Sequence, residues 1–218
     1  MGTWTKEIAN QTLSGTYLTA DNVGVSAYSN LHMSEKGPGS GTGANTIFGY
    51  YAANALYGSS GSSNTCIGYT AGIYITTGSS NTFIGRTTGG STTGSNNTAI
   101  GGYALRDANV ARRNTMIGYF AGGLLHNSNY NVGIGYLALQ NCDGGDTGSS
   151  VDGGNVAVGS SALTYTQSDG YPNATDNIGI GNEAGQKIRG GKENIAIGVK
   201  TVNQNYLDGE NNIFIGTK

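Results

Sequence analysis

A recurring pentapeptide constrains the fold of this chain more than any other feature of its sequence. The pattern is Asn-[Thr/Val/Ile]-x-[Ile/Val/Phe]-Gly, and successive copies begin 16 to 24 residues apart. The ten copies begin at Asn45, Asn64, Asn81, Asn97, Asn114, Asn131, Asn155, Asn177, Asn194 and Asn212. A unit of this length cannot bury an apolar face by itself and has to stack on copies of itself. The sequence therefore predicts a solenoid.

The alternation within each copy predicts a short strand with apolar residues on both sides. The fourth residue is large and apolar in every copy: Phe48, Ile67, Ile84, Ile100, Ile117, Ile134, Val158, Ile180, Ile197 and Ile215. The second residue shares its side of the strand and changes from Thr to Val or Ile after five copies, while the middle residue points to the opposite side. A strand that is apolar on both sides is buried on both sides. Because a thin coil has one interior, we expect the second apolar side to pack on another copy of the chain.

The invariant Asn and Gly of the pentapeptide predict a ladder and a corner. Stacked amides can donate to one neighbouring coil and accept from the other, and Gly suits a corner that needs a positive φ or a close backbone approach. A segment such as Tyr69-Thr-Ala-Gly72 follows the corner, and then a polar return loop. The sequence thus predicts an all-β fold, a parallel β-solenoid of about ten coils.

The repeat divides the chain into two predicted parts. Residues 1–44 lack the pentapeptide, contain two strand-like stretches at 15–20 and 23–28, and end in the linker Gly37-Pro-Gly-Ser-Gly-Thr-Gly43. We interpret them as an attachment segment that folds against partner chains, since their apolar residues are too few for an independent core. Residues 45–218 form the repeat domain, with longer return loops at 141–154 and 164–176.

Charge and hydropathy argue against several classes of function. The net charge is −2 and only 11% of residues are charged, so binding of nucleic acid through its phosphates is not expected. No apolar run approaches the 18 residues of a membrane-spanning helix. The chain begins without the apolar core of a secretory signal, so we expect it to be made in a cytoplasm.

Two apparent ligand motifs are better explained by the repeat itself. Val132-Gly-Ile-Gly-Tyr-Leu-Ala138 and Ile178-Gly-Ile-Gly-Asn-Glu-Ala184 imitate a dinucleotide-binding fingerprint, but that fingerprint needs a helix within a βαβ unit. The carboxylates of Asp143, Asp146 and Asp152 could bind Ca²⁺, but a solvated loop with ordinary Asp-Gly turns is the better explanation. We predict no cofactor, no metal ion and no catalytic residue, and hence a protein that is not an enzyme.

Two columns of equivalent side chains could each form a binding surface along the solenoid. Tyr50, Tyr69, Tyr119 and Tyr136 follow the Gly corner, where they would stack on sugars or pack against neighbouring coils or chains. The Thr column at the second position resembles an ice-binding face, but its change to Val and Ile halfway along favours a buried ladder.

The repeat resembles two families of fibrous proteins over residues 45–216. Asn97-Thr-Ala-Ile-Gly101, Asn155-Val-Ala-Val-Gly159 and Asn194-Ile-Ala-Ile-Gly198 are similar to the head repeats of trimeric autotransporter adhesins, which form a left-handed parallel β-roll of three chains side by side. Asn64-Thr-Cys-Ile-Gly-Tyr-Thr-Ala-Gly72 and Asn114-Thr-Met-Ile-Gly-Tyr-Phe-Ala-Gly122 are more similar to a repeat of bacteriophage tail-fibre and virion proteins. We find neither the secretion signal and membrane barrel of the adhesins nor the chaperone domain of many phage fibres.

This resemblance implies a homotrimeric, left-handed β-roll fibre or spike of a bacteriophage virion, made in the host cytoplasm. Residues 1–44 would then attach to a tail, baseplate or capsid protein, and the return loops would contact a host-surface glycan. Two alternatives remain open at this point: a polysaccharide-degrading tailspike, and the head fragment of a bacterial surface adhesin.

Overall fold

The computed structural model shows an all-β chain coiled into a parallel solenoid of about eight turns. It describes residues 31–34, 45–56, 59–141, 151–164, 174–188, 190–202 and 209–217. Within these ranges the only helical segment is a single 3-10 turn at Asn54–Leu56. No helix in the same ranges has the length and apolarity needed to cross a membrane.

One sheet runs the length of the solenoid. It consists of β1 (Leu31–Ser34), β2 (Asn45–Phe48), β3 (Thr65–Ile67), β4 (Thr82–Ile84), β5 (Thr98–Ile100), β6 (Thr115–Ile117), β8 (Val132–Ile134), β10 (Val156–Val158), β11 (Ile178–Ile180), β12 (Ile195–Ile197) and β13 (Ile213–Ile215). Strand β1 pairs antiparallel with β2, and every later pair in this sheet is parallel. A second, two-stranded sheet pairs β7 (Ser128–Asn129) with β9 (Val151–Asp152).

Each pentapeptide supplies one parallel strand, and equivalent positions lie side by side. Thr65 pairs with Thr82, and Ile67 pairs with Ile84. The chain completes about eight turns, fewer than the ten coils expected. The expected number counted strands, and ten strands enclose only nine intervals. The parallel register predicted from the repeat is confirmed.

The core of the solenoid is narrow and is lined by the middle residue of each strand. Cys66, Phe83, Ala99 and Met116 are fully buried. The segment after each corner closes this core with small and aliphatic side chains. These are Ala71, Ala104, Leu105, Ala121, Ala138, Leu139, Ala162, Leu163 and Ala184.

The predicted amide ladder runs through the buried corner of every coil. The side-chain oxygen of Asn97 accepts from the backbone N–H of Asn114 at 3.1 Å and from its side-chain amide at 3.2 Å. The same amide of Asn114 also donates to the backbone carbonyl of Ser128 at 3.0 Å. Each Asn in the middle of the ladder donates to the Asn of the preceding coil and accepts from the Asn of the following coil. Its buried polar atoms therefore have hydrogen-bond partners on both sides.

The Gly at the fifth position of the pentapeptide is required by its conformation and by its neighbour. These residues have φ between +122° and +145°, a region that L side chains rarely adopt. A Cβ on Gly101 would lie 2.5 Å from the carbonyl oxygen of Gly118 in the next coil. By contrast, the second residue after this corner has φ near +55° in Thr70, Thr87 and Phe120, a left-handed conformation that costs a non-Gly residue about 1–2 kcal/mol.

Several predicted features lie outside the described residues. These are the stretches at 15–20 and 23–28, the linker at 37–43, and most of the long return loops, at 142–150 and 165–173. The division into residues 1–44 and 45–218 therefore stays a prediction.

Candidate functional site

The second and fourth residues of the pentapeptides form an exposed face along the sheet. They point outward because the middle residue points into the core. The fourth residue is 37 to 47% exposed at Phe48, Ile100, Ile117, Ile134 and Ile180. From the sequence we expect another copy of the chain to cover one apolar side of the strands. The structure shows that the exposed side is the one with the larger side chains.

This face, hereafter the apolar face, carries no charge. None of its twenty positions in the ten pentapeptides holds Asp, Glu, Lys, Arg or His. Ten strands about 4.8 Å apart, with two outward residues each, present an area on the order of 700 Å². Thr occupies five of the twenty positions, and the whole face approaches the roughly 800 Å² that each partner of a standard protein interface buries. The apolar face thus has the size of an interface.

A row of aromatic rings borders the apolar face beyond the Gly corner. This tyrosine row consists of Tyr50, Tyr69, Arg86, Tyr103, Tyr119 and Tyr136. Tyr50 stacks on Tyr69 with ring centroids 5.5 Å apart, and Tyr119 stacks on Tyr136 at 5.8 Å. The guanidinium of Arg86 lies 5.7 Å from the ring centroids of both Tyr69 and Tyr103 and so joins the two halves of the row.

Stacking within the tyrosine row determines which part of each ring is accessible. Tyr69 has Tyr50 on one side and Arg86 on the other, so both of its ring faces are occupied. It is nevertheless 52% exposed, which leaves its edge and hydroxyl at the surface. Stacking of sugars on these ring faces is therefore disfavoured, and the geometry supports the other interpretation, packing between neighbouring coils.

The sequence did not reveal that Arg86 and Tyr103 complete the tyrosine row. Arg86 occupies the same position after the corner as Tyr69, which was a usable signal. Gly102 takes that position in the next coil, and Tyr103, one residue later, contacts Tyr119 edge-on at 5.8 Å.

The apparent dinucleotide fingerprints are core positions of the solenoid. Gly133 and Gly179 are the buried middle residues of β8 and β11, and turns follow both strands. A Cβ would lie 2.7 Å from the sulfur of Met116 at Gly133, and 2.7 Å from Cγ of Leu163 at Gly179. These glycines therefore make room for large neighbours, and nothing there resembles a phosphate-binding loop.

The other candidate ligand positions receive no support or lie outside the structure. Among the described residues, no group of three or more His, Cys, Asp and Glu is arranged to bind a metal ion. Asp143 and Asp146 fall outside those residues, and only the backbone of Asp152, in β9, is described. The Thr column lies on the apolar face, where Thr46 is exposed and Thr65, Thr82, Thr98 and Thr115 are half-buried.

Comparison with known proteins adds no assignment to this geometry. No family model, no curated protein and no solved structure matches the chain. The class of protein rests on the fold itself, a parallel β-solenoid with one uncharged, exposed face.

Proposed function

We propose that this chain is the subunit of a homotrimeric, left-handed β-roll fibre, with a structural and adhesive role on a bacteriophage virion. The observation that carries the proposal is the uncharged apolar face, which runs along all ten parallel strands. Exposed apolar surface that extends this far commonly marks a site of protein–protein interaction.

A second copy of the chain fits this surface better than an unrelated partner. Both faces would be uncharged, so their contact leaves no buried ion without a partner. Identical repeats also place equivalent residues of two copies at the same spacing along the fibre, so that the contact can continue over its whole length.

The adhesive role rests on multivalency. The two longest return loops, at 141–154 and 164–176, belong to neighbouring copies of the repeat. Insertions in a solenoid project from one side, which is often the binding side. Three weak glycan sites per fibre and many fibres per particle would give strong attachment without one tight site. Residues 1–44 would join the fibre to a tail, baseplate or capsid protein.

A glycan array tests the adhesive part of this proposal. We expect the purified chain to bind a subset of bacterial surface polysaccharides, and replacement of residues 143–149 by a short Gly-Ser turn to abolish this binding while the solution mass is unchanged. Release of reducing ends from a bound polysaccharide would instead identify a degrading tailspike. Binding that persists without the loop would place the glycan site elsewhere.

One observation favours a second candidate function. The outward Thr side chains of five successive coils repeat at the strand spacing of about 4.8 Å, which is the arrangement of a flat ice-binding surface. This function would require the apolar face to be free in solution. Thermal hysteresis of a monomeric chain would support it, and its absence would leave the fibre as the better explanation.

A further inference from the structure

The apolar surface of the solenoid runs obliquely across its exposed side. The fourth residue of the pentapeptide is apolar throughout, but its flanking columns change along the chain. The second residue is Thr in the first five copies and Val or Ile in the last five. The sixth residue, just beyond the Gly corner, changes in the opposite sense. It is Tyr50, Tyr69, Arg86, Gly102, Tyr119, Tyr136, Ser160, Asn182 and Val199 in successive coils.

The two changes meet in one coil. In the coil that begins at Asn131, Val132, Ile134 and Tyr136 are apolar at the second, fourth and sixth positions. Before it, position four is apolar and position six is aromatic except at Arg86 and Gly102, and after it positions two and four are apolar. Val199 is the exception in the last part of this pattern.

The shift makes the apolar band oblique. The centres of its two halves are about five strand spacings, or about 24 Å, apart along the sheet, and between them the band moves from beyond the Gly corner to the strand itself. The apolar band therefore crosses the exposed side at an angle to the columns of equivalent residues.

We infer that the copies in the fibre wrap around one another rather than running parallel to a common axis. This inference rests on the proposed fibre. An apolar band that drifts around a rod stays in contact with its partner only if the rods supercoil, as the drift of a heptad repeat does in coiled coils. The residue types agree, since Tyr is enriched in protein interfaces and Ser is depleted. The guanidinium of Arg86, the one charged group in the band, lies over the rings of Tyr69 and Tyr103.

The surface at the sixth position thus has two environments in the assembled fibre. Tyr119 and Asn182 occupy equivalent places, and both are exposed in the single chain. In the wrapped fibre Tyr119 is covered by a neighbouring copy and Asn182 stays in solvent. At the second position the covered residue comes from the later half of the chain, since Ile195 is covered in the wrapped fibre and Thr98 is not. Both residues are half-buried in the single chain.

Maleimide labelling of single cysteines tests this arrangement. Tyr119→Cys, Asn182→Cys, Thr98→Cys and Ile195→Cys are each made in a chain that also carries Cys142→Ser. Labelling rates in the assembled fibre are divided by the rates in denaturant. We expect labelling at least ~10-fold slower at Tyr119→Cys than at Asn182→Cys, and likewise slower at Ile195→Cys than at Thr98→Cys.

The outcomes separate this inference from the fibre on which it rests. Equal rates within each pair, in fibres of trimeric mass, would mean parallel rods and would overturn the wrapping alone. A monomeric mass of the unsubstituted chain would overturn the fibre and the wrapping together.

Hydroxyl-radical footprinting of the unsubstituted chain gives an answer even where a cysteine variant fails to assemble. Tyr74 lies outside the apolar face and is 60% exposed, against 50% for Tyr119 and 53% for Tyr136. We expect Tyr119 and Tyr136 to be modified several-fold more slowly than Tyr74. Equal rates for the three tyrosines would contradict the wrapped arrangement.

Discussion

At the scale of single residues, the Gly corner is the position that tolerates least change. Gly101 has φ +124°, and a Cβ there would lie 2.5 Å from the carbonyl oxygen of Gly118. We expect Gly101→Ala to lower the free energy of unfolding by about 2–4 kcal/mol, because strain adds to a clash with backbone.

The adjacent Gly102 provides a matched control for this substitution. A Cβ there meets only the ring of Tyr119, at 3.5 Å or more. Gly102→Ala should change the free energy of unfolding by less than about 0.5 kcal/mol. Denaturant titration of both variants measures the difference, and similar losses would show that the corner has no special requirement for Gly.

Cys66 is expected to lower the stability of the fold as the pH becomes alkaline. Burial raises the pKa of its thiol from 9.0 to about 12. The contribution of this thiol to the free energy of unfolding is fully present below the pKa of the unfolded state. It is lost as the pH rises toward the pKa of the folded state. At pH 10 the loss of stability relative to pH 7 is on the order of 1 kcal/mol.

Comparison with Cys66→Ala isolates this effect. The variant loses packing at every pH but lacks the thiol, whereas the tyrosines and lysines titrate in both proteins. We expect the stability difference between the two proteins to shrink from pH 7 to pH 10 in denaturant titrations. A difference independent of pH would mean that the thiol ionises as freely in the folded chain as in the unfolded one.

At the scale of one coil, the Asn ladder joins each coil to its neighbours. Asn114→Ala removes the acceptor of the Asn131 backbone N–H, at 2.9 Å, and the donor to the Ser128 carbonyl, at 3.0 Å. Leaving these buried groups without partners should cost about 2–4 kcal/mol.

The last ladder residue is the natural comparison for Asn114. Asn212 donates to Asn194 at 2.9 Å but lies at the half-buried end of the stack. Asn212→Ala should cost about 1 kcal/mol or less. Thermal unfolding of both variants tests the ladder, and an equal loss would indicate that burial of the amide does not matter.

The sequence was sufficient to predict the coil because its residues have few alternative roles. A repeated Asn stacks as a ladder, a repeated Gly makes a corner, and the alternation between them gives a strand. It was not sufficient to tell which side of the strand faces the core. The sequence does contain a signal for the side that faces the core, because large and small side chains alternate between successive coils at the middle position. Met116 is followed by Gly133 and Phe83 by Ala99, as expected of a closely packed interior.

At the scale of the whole molecule, association should depend on the apolar face. Ile117 lies at its centre and is 37% exposed, and Tyr74 lies outside it at 60%. We expect Ile117→Lys to weaken self-association at least ~10-fold in sedimentation experiments, because it buries a charge without a partner. Tyr74→Lys should leave association unchanged. If both variants associated like the unsubstituted chain, the contact between copies would lie on another surface.

The solution mass of the purified chain, measured by light scattering, tests the central claim most directly. The subunit has a mass of 22.2 kDa, and the proposed fibre predicts three times that value over a wide range of concentrations. A mass equal to one subunit would contradict it, because the apolar face would then be exposed to water and the ice-binding function would become the better explanation.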